Sequence, residues 1–401
     1  MKNLLACLKE RGLFDAIAGE GLEDLMQSPI KAYIGFDPTA DSLHLGNFVG
    51  MVVLAWFQRF GHTPVVLLGG ATGRIGDPSG KSKERPLLDE QTIEHNIACI
   101  RKNFERIFDF SGKLPMPVMV NNDEWFSKFS FVDFLREVGK NFRIGSMLAK
   151  ESVRSRVQSE EGMSFTEFSY QLLQSYDFYH LFKTNGVSLQ MGGSDQWGNI
   201  TAGTEFIRKV SGEHAFGLTF PLLTRSDGKK FGKSEEGAIW LTESKLSAYQ
   251  FYQYLVGIPD ADVISLMKRL TFMDLQDIAV IEQSMNLEDY MPNTAQKRLA
   301  EELTRLVHGE EGLEKALRVT EGVKPGSLGL LSEGVIEQIA SDMPNVELSQ
   351  EEIITHKFTE LAVLTGLLSS KGEAVRLIQN QGAYLNEVKV DDVNRMIIES
   401  D

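Results

Sequence analysis

The sequence predicts an α/β fold built on a parallel sheet, followed by an α-helical region and a small α+β tail. Short continuous apolar runs alternate with helical patterns in the first part of the chain, as expected for strands buried on both faces of a parallel sheet. Helical periodicity with almost no strand pattern fills residues 245–320, and a glycine-rich segment follows it. With 401 residues, of which 42% are apolar, the chain is long enough for two or three domains.

The elements of the first part follow in order. Residues 2–28 are predicted to form short helices, 31–36 a strand, 37–43 a turn-rich loop and 46–60 an apolar helix. Further strands are predicted at the apolar runs 64–69, 117–120 and 187–191. This alternation indicates βαβ units with right-handed crossovers. Glycines that follow these strands lie where such sheets bind ligands, at positions 69, 70, 73, 76, 192 and 193.

Changes of pattern divide the chain into predicted domains. These are a first domain 1–244, a helical domain 245–322, a linker 323–350 and a tail domain 351–401. In the tail, helical patterns at 358–368 and 371–380 precede a turn into a strand at 381–386.

Charge and cysteine content narrow the function classes. A net charge of −15 provides no global attraction to nucleic acid, so any RNA contact has to come from local basic patches. Cys7 and Cys99 suffice for neither a disulfide framework nor a zinc site, and we expect a cytoplasmic location. The apolar run at the start is too short for a signal peptide, and no stretch is long enough to span a bilayer.

Two short motifs are candidates for phosphate binding. The first is Asp37-Pro-Thr-Ala-Asp-Ser-Leu-His-Leu-Gly-Asn47, and its end begins a predicted helix whose unpaired N–H groups would suit phosphate. The second, Lys230-Phe-Gly-Lys-Ser234, carries lysines that can contact pyrophosphate oxygens. A capped helix start with a structural histidine and a solvated surface loop are the alternatives for the two motifs.

Neither a P-loop nor a dinucleotide-binding fingerprint is present in the sequence. Gly80-Lys-Ser82 and Gly232-Lys-Ser234 resemble the end of a P-loop, but Ile75 and Asp227 stand where its first glycine is required. No G-x-G-x-x-G follows a predicted strand either. The two commonest interpretations of a nucleotide-binding α/β chain are therefore excluded.

Five segments occur in a characteristic order, at 33–47, 69–81, 170–177, 192–200 and 230–234. In this order they closely resemble the bacterial tyrosyl-tRNA synthetases, a family of class I aminoacyl-tRNA synthetases. The tail resembles an S4-type RNA-binding module, although it ends sooner than that module usually does. The resemblance implies a Rossmann-like catalytic domain with a dimer-interface insertion at about 120–165, an α-helical anticodon-side domain and an S4-like RNA-binding domain, complete or truncated.

The resemblance implies ATP-dependent ligation of L-tyrosine to tRNA(Tyr) in two steps through tyrosyl-adenylate, with release of pyrophosphate and then AMP. Because the substrate carboxylate is the nucleophile, catalysis is expected to be mainly positioning and charge stabilisation. ATP is expected to bring Mg²⁺, held largely by phosphates and water, and no structural metal is expected. The resemblance also implies a homodimer.

Site residues carry over position by position. The set implied to stabilise phosphate is Thr39, His44, Asn47, Lys81, Arg85, Lys230 and Lys233. The set implied to bind tyrosine is Tyr33, Asp77, Tyr170, Gln174, Asp177 and Gln196. The set implied to bind ATP is Ile34, Gly35, Asp37, Gly46, Asp195 and Lys233, and the tail residues expected to contact tRNA are Lys371, Arg376, Lys389 and Arg395.

Two features of these sets can be weighed physically. Tyr170, Gln174 and Asp177 fall at i, i+4 and i+7, so one helix face can present all three, although an ordinary polar helix face is the alternative. Asn47 stands where many class I enzymes have a second histidine. It keeps a donor amide but cannot become cationic, and we expect activity to be retained.

Three alternatives stay open. The related tryptophan enzymes share the architecture, but Asp177 opposite Tyr33 favours a phenol over an indole. A nucleotidyltransferase that does not act on tRNA would leave the helical region and the tail without a purpose. A non-catalytic RNA-binding relative is disfavoured because the matched phosphate-contacting residues are all present.

Overall fold

The computed structural model describes residues 3–81, 83–226, 228, 231–234, 237–322, 340, 345–386, 388–399 and 401, with the backbone alone at 233 and 234. Contacts divide the chain into two compact units. One consists of Met1–Leu246 and Gln253–Gly309, and the other of Ser247–Tyr252 and Glu310–Asp401.

A mainly parallel six-stranded sheet forms the centre of the first unit. Its strands are β1 (Ala16–Ala18), β2 (Lys31–Phe36), β3 (Thr63–Leu68), β4 (Val118–Asn121), β5 (Val187–Gly193) and β6 (Phe216–Phe220). They lie in the order β1-β6-β5-β2-β3-β4, and β1 alone is antiparallel to its neighbour in this sheet. The predicted α/β fold with a parallel sheet is confirmed.

Helices connect and flank these strands. The helices of the first 246 residues are α1 (Leu4–Glu10), α2 (Leu22–Leu25), α3 (Leu45–Arg59), α4 (Glu90–Glu105), α5 (Asp123–Phe126), α6 (Phe131–Glu137), α7 (Ile144–Leu148), α8 (Glu151–Val157), α9 (Phe165–Asn185) and α10 (Trp197–Ser211). A short hairpin, β7 (Lys233–Ser234) and β8 (Gly237–Ala238), follows them.

The predicted helical region also forms. Its helices are α11 (Ala248–Val256), α12 (Asp260–Leu270), α13 (Leu275–Ser284) and α14 (Thr294–Gly322), and the last is interrupted at Gly309, where φ is 76°. The tail contains α15 (Gln350–Ile354), α16 (Phe358–Leu364), α17 (Lys371–Gln379) and the hairpin β9 (Tyr384–Leu385) and β10 (Val388–Lys389). Most of the predicted linker lies outside the described residues.

The prediction of short helices over residues 2–28 is wrong for Ala16–Ala18, which form β1. The strand is short and pairs with β6, another strand that the apolar pattern does not predict. Ala16 N donates to the Thr219 hydroxyl at 3.2 Å, and Asp15 N donates to the Thr219 carbonyl at 2.8 Å. Pairing with a distant strand, rather than local sequence, therefore determines this conformation.

Each unit contains a hydrophobic core among its described residues. In the first unit, Tyr33, Leu67, Trp125, Phe178 and neighbouring apolar residues pack between the sheet and α9. In the second unit, a small core packs α16 and α17 against the β9–β10 hairpin, and it consists of Phe358, Ile378, Ala383, Val390 and Ile397. The tail thus has an α+β core of its own.

Candidate functional site

The candidate site lies where the order of the sheet reverses. From β2 the chain crosses to β3 and β4 on one side, and it later returns to β5 and β6 on the other side of β2. At such a switch point, the loops after the two central strands diverge and leave a crevice at their carboxyl ends. Asp37 directly follows β2, and Asp195 and Gln196 lie two and three residues after the end of β5.

Asp177 on α9 is a buried carboxylate with two donors. Its side chain accepts from Trp125 Nε1 at 2.8 Å on one oxygen and from Asn122 Nδ2 at 3.1 Å on the other. Burial raises the pKa of Asp177 well above its usual range, although both hydrogen bonds act in the opposite direction. The two donors orient the carboxylate and satisfy part of its acceptor capacity.

Tyr33 on β2 lies in the same buried region. Its side chain is 1% exposed, and its ring centroid is 5.4 Å from that of Phe178. Among the described residues, the Tyr33 hydroxyl has no hydrogen-bond partner. Burial, and secondly the charge of Asp177, raises the pKa of this phenol well above its usual value. An unpaired buried hydroxyl near a carboxylate can bind a ligand group that both donates and accepts a hydrogen bond.

A second group of polar side chains connects the loops after β3 and β5 with α9 and α10. Gln196 Nε2 donates to Asp77 Oδ2 at 2.8 Å, and Gln174 Nε2 contacts Gln196 Oε1 at 3.4 Å. The buried Asn199 amide donates to Gln174 Oε1 at 2.9 Å and lies 3.2 Å from the Ser79 hydroxyl. Three residues of the predicted tyrosine-binding set are therefore in one hydrogen-bonded network.

Tyr170, a fourth member of that set, contacts Asp37 instead. Its hydroxyl donates to Asp37 Oδ2 at 2.8 Å, and the Thr72 hydroxyl donates to Asp37 Oδ1 at 2.7 Å. Burial raises the pKa of Asp37 to about 6, although both hydrogen bonds lower it. A β-carbon on Gly69 would lie 2.1 Å from Asp37 Oδ1, so the backbone there approaches the carboxylate closely.

His44 and Asn47 form a reciprocal cap at the start of α3. His44 Nδ1 accepts from Gly46 N at 3.1 Å, and Asn47 Oδ1 accepts from His44 N at 3.1 Å. Because Nδ1 is an acceptor, a neutral imidazole carries its proton on Nε2, which is then a donor.

The expectation of unpaired amides at this helix start is wrong for the first three helical residues. Gly46 N donates to the His44 ring, and Leu45 N donates to Ile239 O at 2.8 Å. Asn47 N lies 2.8 Å from His44 O. The capping side chains and the chain after the lysine motif use these donors, so contact with phosphate would have to come from side chains and the helix dipole.

The two candidate phosphate motifs meet in the fold. The left-handed backbone of Gly232, with φ at 84°, lies against Leu45 and Gly46. Ile239 N donates to Gly232 O at 2.9 Å, and Trp240 forms an antiparallel bridge with His44. Of the lysines, Lys230 lies outside the described residues, while the Lys233 backbone pairs with Ala238.

The other predicted ATP-handling residues surround the crevice. Arg85 Nε lies 3.3 Å from the Asp77 carbonyl, and Lys81 is exposed in a turn that Pro78 begins. Thr39 is also exposed, whereas Ile34 is buried on β2 beside the exposed Gly35. A β-carbon on Gly80 would lie 3.0 Å from Asp195 Oδ2, so the two loops adjoin. The described residues contain no cluster of His, Cys, Asp or Glu able to hold a metal ion.

Comparison with known proteins identifies the family. The model for class I tRNA synthetases (W and Y) matches residues 25–323. The tyrosine–tRNA ligase of Protochlamydia amoebophila is 58% identical over 99% of this chain and 93% of its own length. The chain belongs to the tyrosine–tRNA ligase family. The Klebsiella pneumoniae tyrosine–tRNA ligase is 46% identical over all of this chain and 93% of its own length.

Structural similarity agrees with this assignment. A C-terminally truncated mitochondrial tyrosyl-tRNA synthetase from Aspergillus nidulans superposes with a TM-score of 0.71 at 32% identity, over 81% of this chain and 95% of its own. A C-terminal domain model of tyrosine–tRNA ligases matches residues 335–401. Within the described part of the chain, no helix is both long and apolar enough to cross a membrane.

The basic residues predicted to contact tRNA are partly engaged within the tail. Lys371 Nζ lies 2.9 Å from Glu360 Oε1, and Lys389 Nζ donates to Gln381 Oε1 at 2.7 Å. Arg395 forms an ion pair with Asp401, and Arg376 is exposed on α17. That these residues contact tRNA stays a prediction.

Several residues of the site are absent from the predicted sets. Thr72, Asn122, Trp125 and Asn199 all donate to, or connect, the predicted residues. Asn122 follows β4 at the carboxyl edge of the sheet, which is a general signal for a site residue. Nothing in the sequence indicates that Trp125 donates to Asp177, because the two residues lie on separate helices.

Proposed function

We propose that this protein ligates L-tyrosine to tRNA(Tyr) in two steps. In the first, a carboxylate oxygen of tyrosine attacks the α-phosphorus of MgATP. The new O–P bond forms as the α–β phosphoanhydride bond breaks, and pyrophosphate leaves. In the second, a 3′-terminal ribose hydroxyl of the tRNA attacks the tyrosyl carbonyl carbon and AMP leaves.

The observation that carries this proposal is the buried hydroxyl of Tyr33 near Asp177, which has no hydrogen-bond partner among the described residues. A substrate phenol can donate its proton to the Asp177 carboxylate and accept from the Tyr33 hydroxyl. An indole N–H can only donate, so tryptophan would leave Tyr33 unpaired at a cost of roughly 1–3 kcal/mol. Phenylalanine would satisfy neither group. The pair therefore favours tyrosine.

The second polar group supports recognition of the α-ammonium group. Asp77 supplies negative charge and accepts from Gln196 Nε2, and the side-chain oxygens of Gln174 and Gln196 are further acceptors in the same network. Tyr170 is oriented by Asp37, which adds a second carboxyl to the same region. An ammonium group has three donors and a positive charge, and this group of acceptors and carboxyls can match both.

Charge on the departing pyrophosphate is proposed to be stabilised by both phosphate motifs. His44 and Asn47 carry donor groups at the start of α3, where the helix dipole favours negative charge. Lys81, Arg85, Lys230 and Lys233 would supply cations, with Asp195 on the ribose. Mg²⁺ enters as part of the substrate, MgATP.

The experiment that tests the proposal is pyrophosphate exchange with tyrosine, tryptophan and phenylalanine measured side by side. We expect exchange with tyrosine alone. Exchange with tryptophan would point to the related specificity, and no exchange with any amino acid would support a non-catalytic RNA-binding relative. Aminoacylation of tRNA(Tyr) then tests the second step, which a nucleotidyltransferase of another kind would not perform.

The tail is proposed to bind tRNA, with domain limits at about 244, 322 and 350 as the sequence indicates. Removing residues after about 325 should then abolish tRNA charging and leave adenylate formation intact. Equal charging by the full and shortened chains would contradict this division of labour. Because tRNA is charged where translation occurs, we propose a cytoplasmic location.

A homodimer is proposed from exposed apolar side chains within the predicted insertion. Phe131, Val132 and Ile144 are 60–68% exposed on α6 and α7, and apolar exposure of this kind is typical of an interface. Ile144→Asp should shift the protein toward monomer in sedimentation velocity. Val280→Asp on α13, where the side chain is 65% exposed, is the matched control and should leave the dimer intact.

A further inference from the structure

Two asparagines on α4 contact opposite ends of the first phosphate motif. Asn96 Nδ2 donates to the Pro38 carbonyl at 2.9 Å, and Asn103 Oδ1 accepts from Leu43 N at 3.0 Å. The asparagines are seven positions apart, which is about 10.5 Å along one helix face. A single rigid helix therefore fixes both ends of the loop that carries Thr39 and leads into His44.

Asn103 also contacts the chain that follows the lysine motif. Its Nδ2 donates to the Thr242 hydroxyl at 3.1 Å. Thr242 N in turn donates to the Ser42 hydroxyl at 3.1 Å, and Leu241 N donates to Leu43 O at 2.9 Å. One amide side chain thus joins two segments that are distant in sequence, using its acceptor for one and its donor for the other.

This geometry has a chemical consequence. The start of α3 and the lysine motif have to present their groups to the same phosphates. Hydrogen bonds between 42–45 and 239–242 help to connect them. A group with both an acceptor and a donor at fixed separation can hold the two segments in register, whereas a hydroxyl or a carboxylate offers a different donor and acceptor set.

We propose that Asn103 is a positioning residue for adenylate formation, acting through Leu43 and Thr242 on the relative position of the two phosphate motifs. The proposal rests on the proposed function and adds a residue that touches none of the reacting groups. It predicts a defect in the chemical step with ATP. It predicts no defect in tyrosine binding, because the contacts of Tyr33 and Asp177 lie on other elements.

The test compares Asn103→Ala, Thr242→Val and Thr242→Ser in the full chain by tyrosine-dependent pyrophosphate exchange. Asn103→Ala and Thr242→Val should lower kcat ~10-fold or more, because small misplacements of catalytic groups are costly. KM for tyrosine should change by less than about twofold. Thr242→Ser keeps the hydroxyl and should recover most of the kcat lost in Thr242→Val. Arg101→Ala, at an exposed position on the same helix, controls for changes in α4.

A merely structural role is distinguished by two readouts. It would lower the melting temperature and the fraction of active protein. It would leave kcat, measured per active site, and KM at their wild-type values. In addition, Asn103→Ala/Thr242→Val should be no slower than Asn103→Ala alone, since the single change already removes the shared contact. A full additional loss in the double variant would overturn the proposal.

Hydrogen exchange separates this proposal from the proposed function. If the wild-type protein shows no tyrosine-dependent exchange of pyrophosphate, the proposed function fails. Hydrogen exchange of the backbone amides then still tests whether Asn103 holds Leu43 and Thr242 together. Peptides covering 42–48 and 239–242 should both exchange faster in Asn103→Ala and in Thr242→Val, and not in Arg101→Ala. Unchanged exchange in both peptides, or an unchanged kcat with an active wild type, overturns the role assigned to Asn103.

Discussion

A β-carbon placed on Gly232 would lie 3.1 Å from the backbone nitrogen of Gly46. The two glycines belong to the two phosphate motifs, and their contact brings a lysine-bearing segment against the start of α3. Gly232 also has a left-handed backbone, with φ at 84°. Glycine is therefore required at this position for two reasons, the left-handed backbone conformation and the close approach to α3.

Gly232→Ala should impair adenylate formation far more than folding. The new methyl group has to displace either the start of α3 or the lysine segment, and a shift of about 1 Å in catalytic groups can cost ~100-fold in rate. We expect a loss of this order in kcat for tyrosine-dependent pyrophosphate exchange, with tyrosine binding preserved.

Gly228→Ala is the matched control for this change. Gly228 has a similar φ of 80°, but no atom of the described residues lies within 4 Å of the position its β-carbon would take. It therefore carries the left-handed cost of ~1–2 kcal/mol without the contact. Equal losses of activity in the two variants would mean that backbone strain, and not the contact with α3, explains the effect.

Tyr33→Phe should relax the choice of amino acid. The substitution removes a buried hydroxyl that has no partner among the described residues, so stability of the free protein should stay the same or rise. With tyrosine bound, one hydrogen bond is lost, worth about 0.5–1.5 kcal/mol, and KM for tyrosine should rise up to ~10-fold. Competition between tyrosine and phenylalanine in the exchange assay measures the change in preference.

Tyr179→Phe on α9 controls for the loss of a phenol elsewhere. Tyr179 packs against Phe206, with ring centroids 5.4 Å apart, and its removal should leave the preference unaltered. If Tyr33→Phe leaves KM for tyrosine unchanged, the buried hydroxyl does not contact the substrate.

The sequence predicts the fold class well because the information is local. The apolar runs that become β2, β3, β4 and β5 are recognisable without tertiary context. β1 is missed because it is three residues long and pairs only with β6, a strand that the apolar pattern also does not predict. Strand existence at a sheet edge depends on a distant partner, which periodicity does not encode.

The site is predictable to a different extent. The resemblance supplies residues that a substrate would touch, and the structure brings Asp77, Gln174 and Gln196 into one network. The resemblance does not supply the hydrogen-bonding role of Asn199, which depends on the packing of α10 against α9. The capping of α3 by His44 also follows from side-chain geometry, and it occupies an amide that the sequence suggested was available.

The acid dependence of stability should report on Asp37. Its pKa is about 6 in the folded protein, against 3.8 ordinarily, chiefly because it is buried. Between about pH 4 and pH 6 the folded protein retains a proton that the unfolded chain releases, so this group favours folding at low pH and the benefit is lost as pH rises. The difference of about 2 pKa units corresponds to at most ~3 kcal/mol.

Asp37→Asn should remove that contribution. Urea denaturation at pH 4, 5, 6 and 7 should show a larger stability increase on acidification in the wild type than in the variant. Asp89→Asn is a control, because hydrogen bonds from Thr92 lower the pKa of Asp89 at the start of α4. This carboxyl therefore contributes to stability with the opposite pH dependence. Parallel pH profiles for the wild type and Asp37→Asn would show that Asp37 titrates normally in the folded protein.

Arg156 and Glu167 form a buried ion pair that should dominate the stability of the α8–α9 region. Both Arg156 nitrogens Nε and Nη2 lie 2.9 Å from the two Glu167 oxygens, and both side chains are at most 3% exposed. Removing one partner leaves the other charge buried, which costs ~3–5 kcal/mol. Arg156→Met should therefore lower the free energy of unfolding by this amount in urea titrations.

A double variant distinguishes the loss of the ion pair from the cost of leaving one buried charge without a partner. Arg156→Met/Glu167→Leu leaves no unpaired charge, and replacing a buried pair by apolar groups is often nearly neutral, so most of the loss should be recovered. On the same helix, the exposed pair of Arg154 and Glu151 is the matched comparison, and Arg154→Met should cost at most about 0.5 kcal/mol. If the double variant is as unstable as Arg156→Met, the loss comes from packing around the guanidinium and not from a stranded carboxylate.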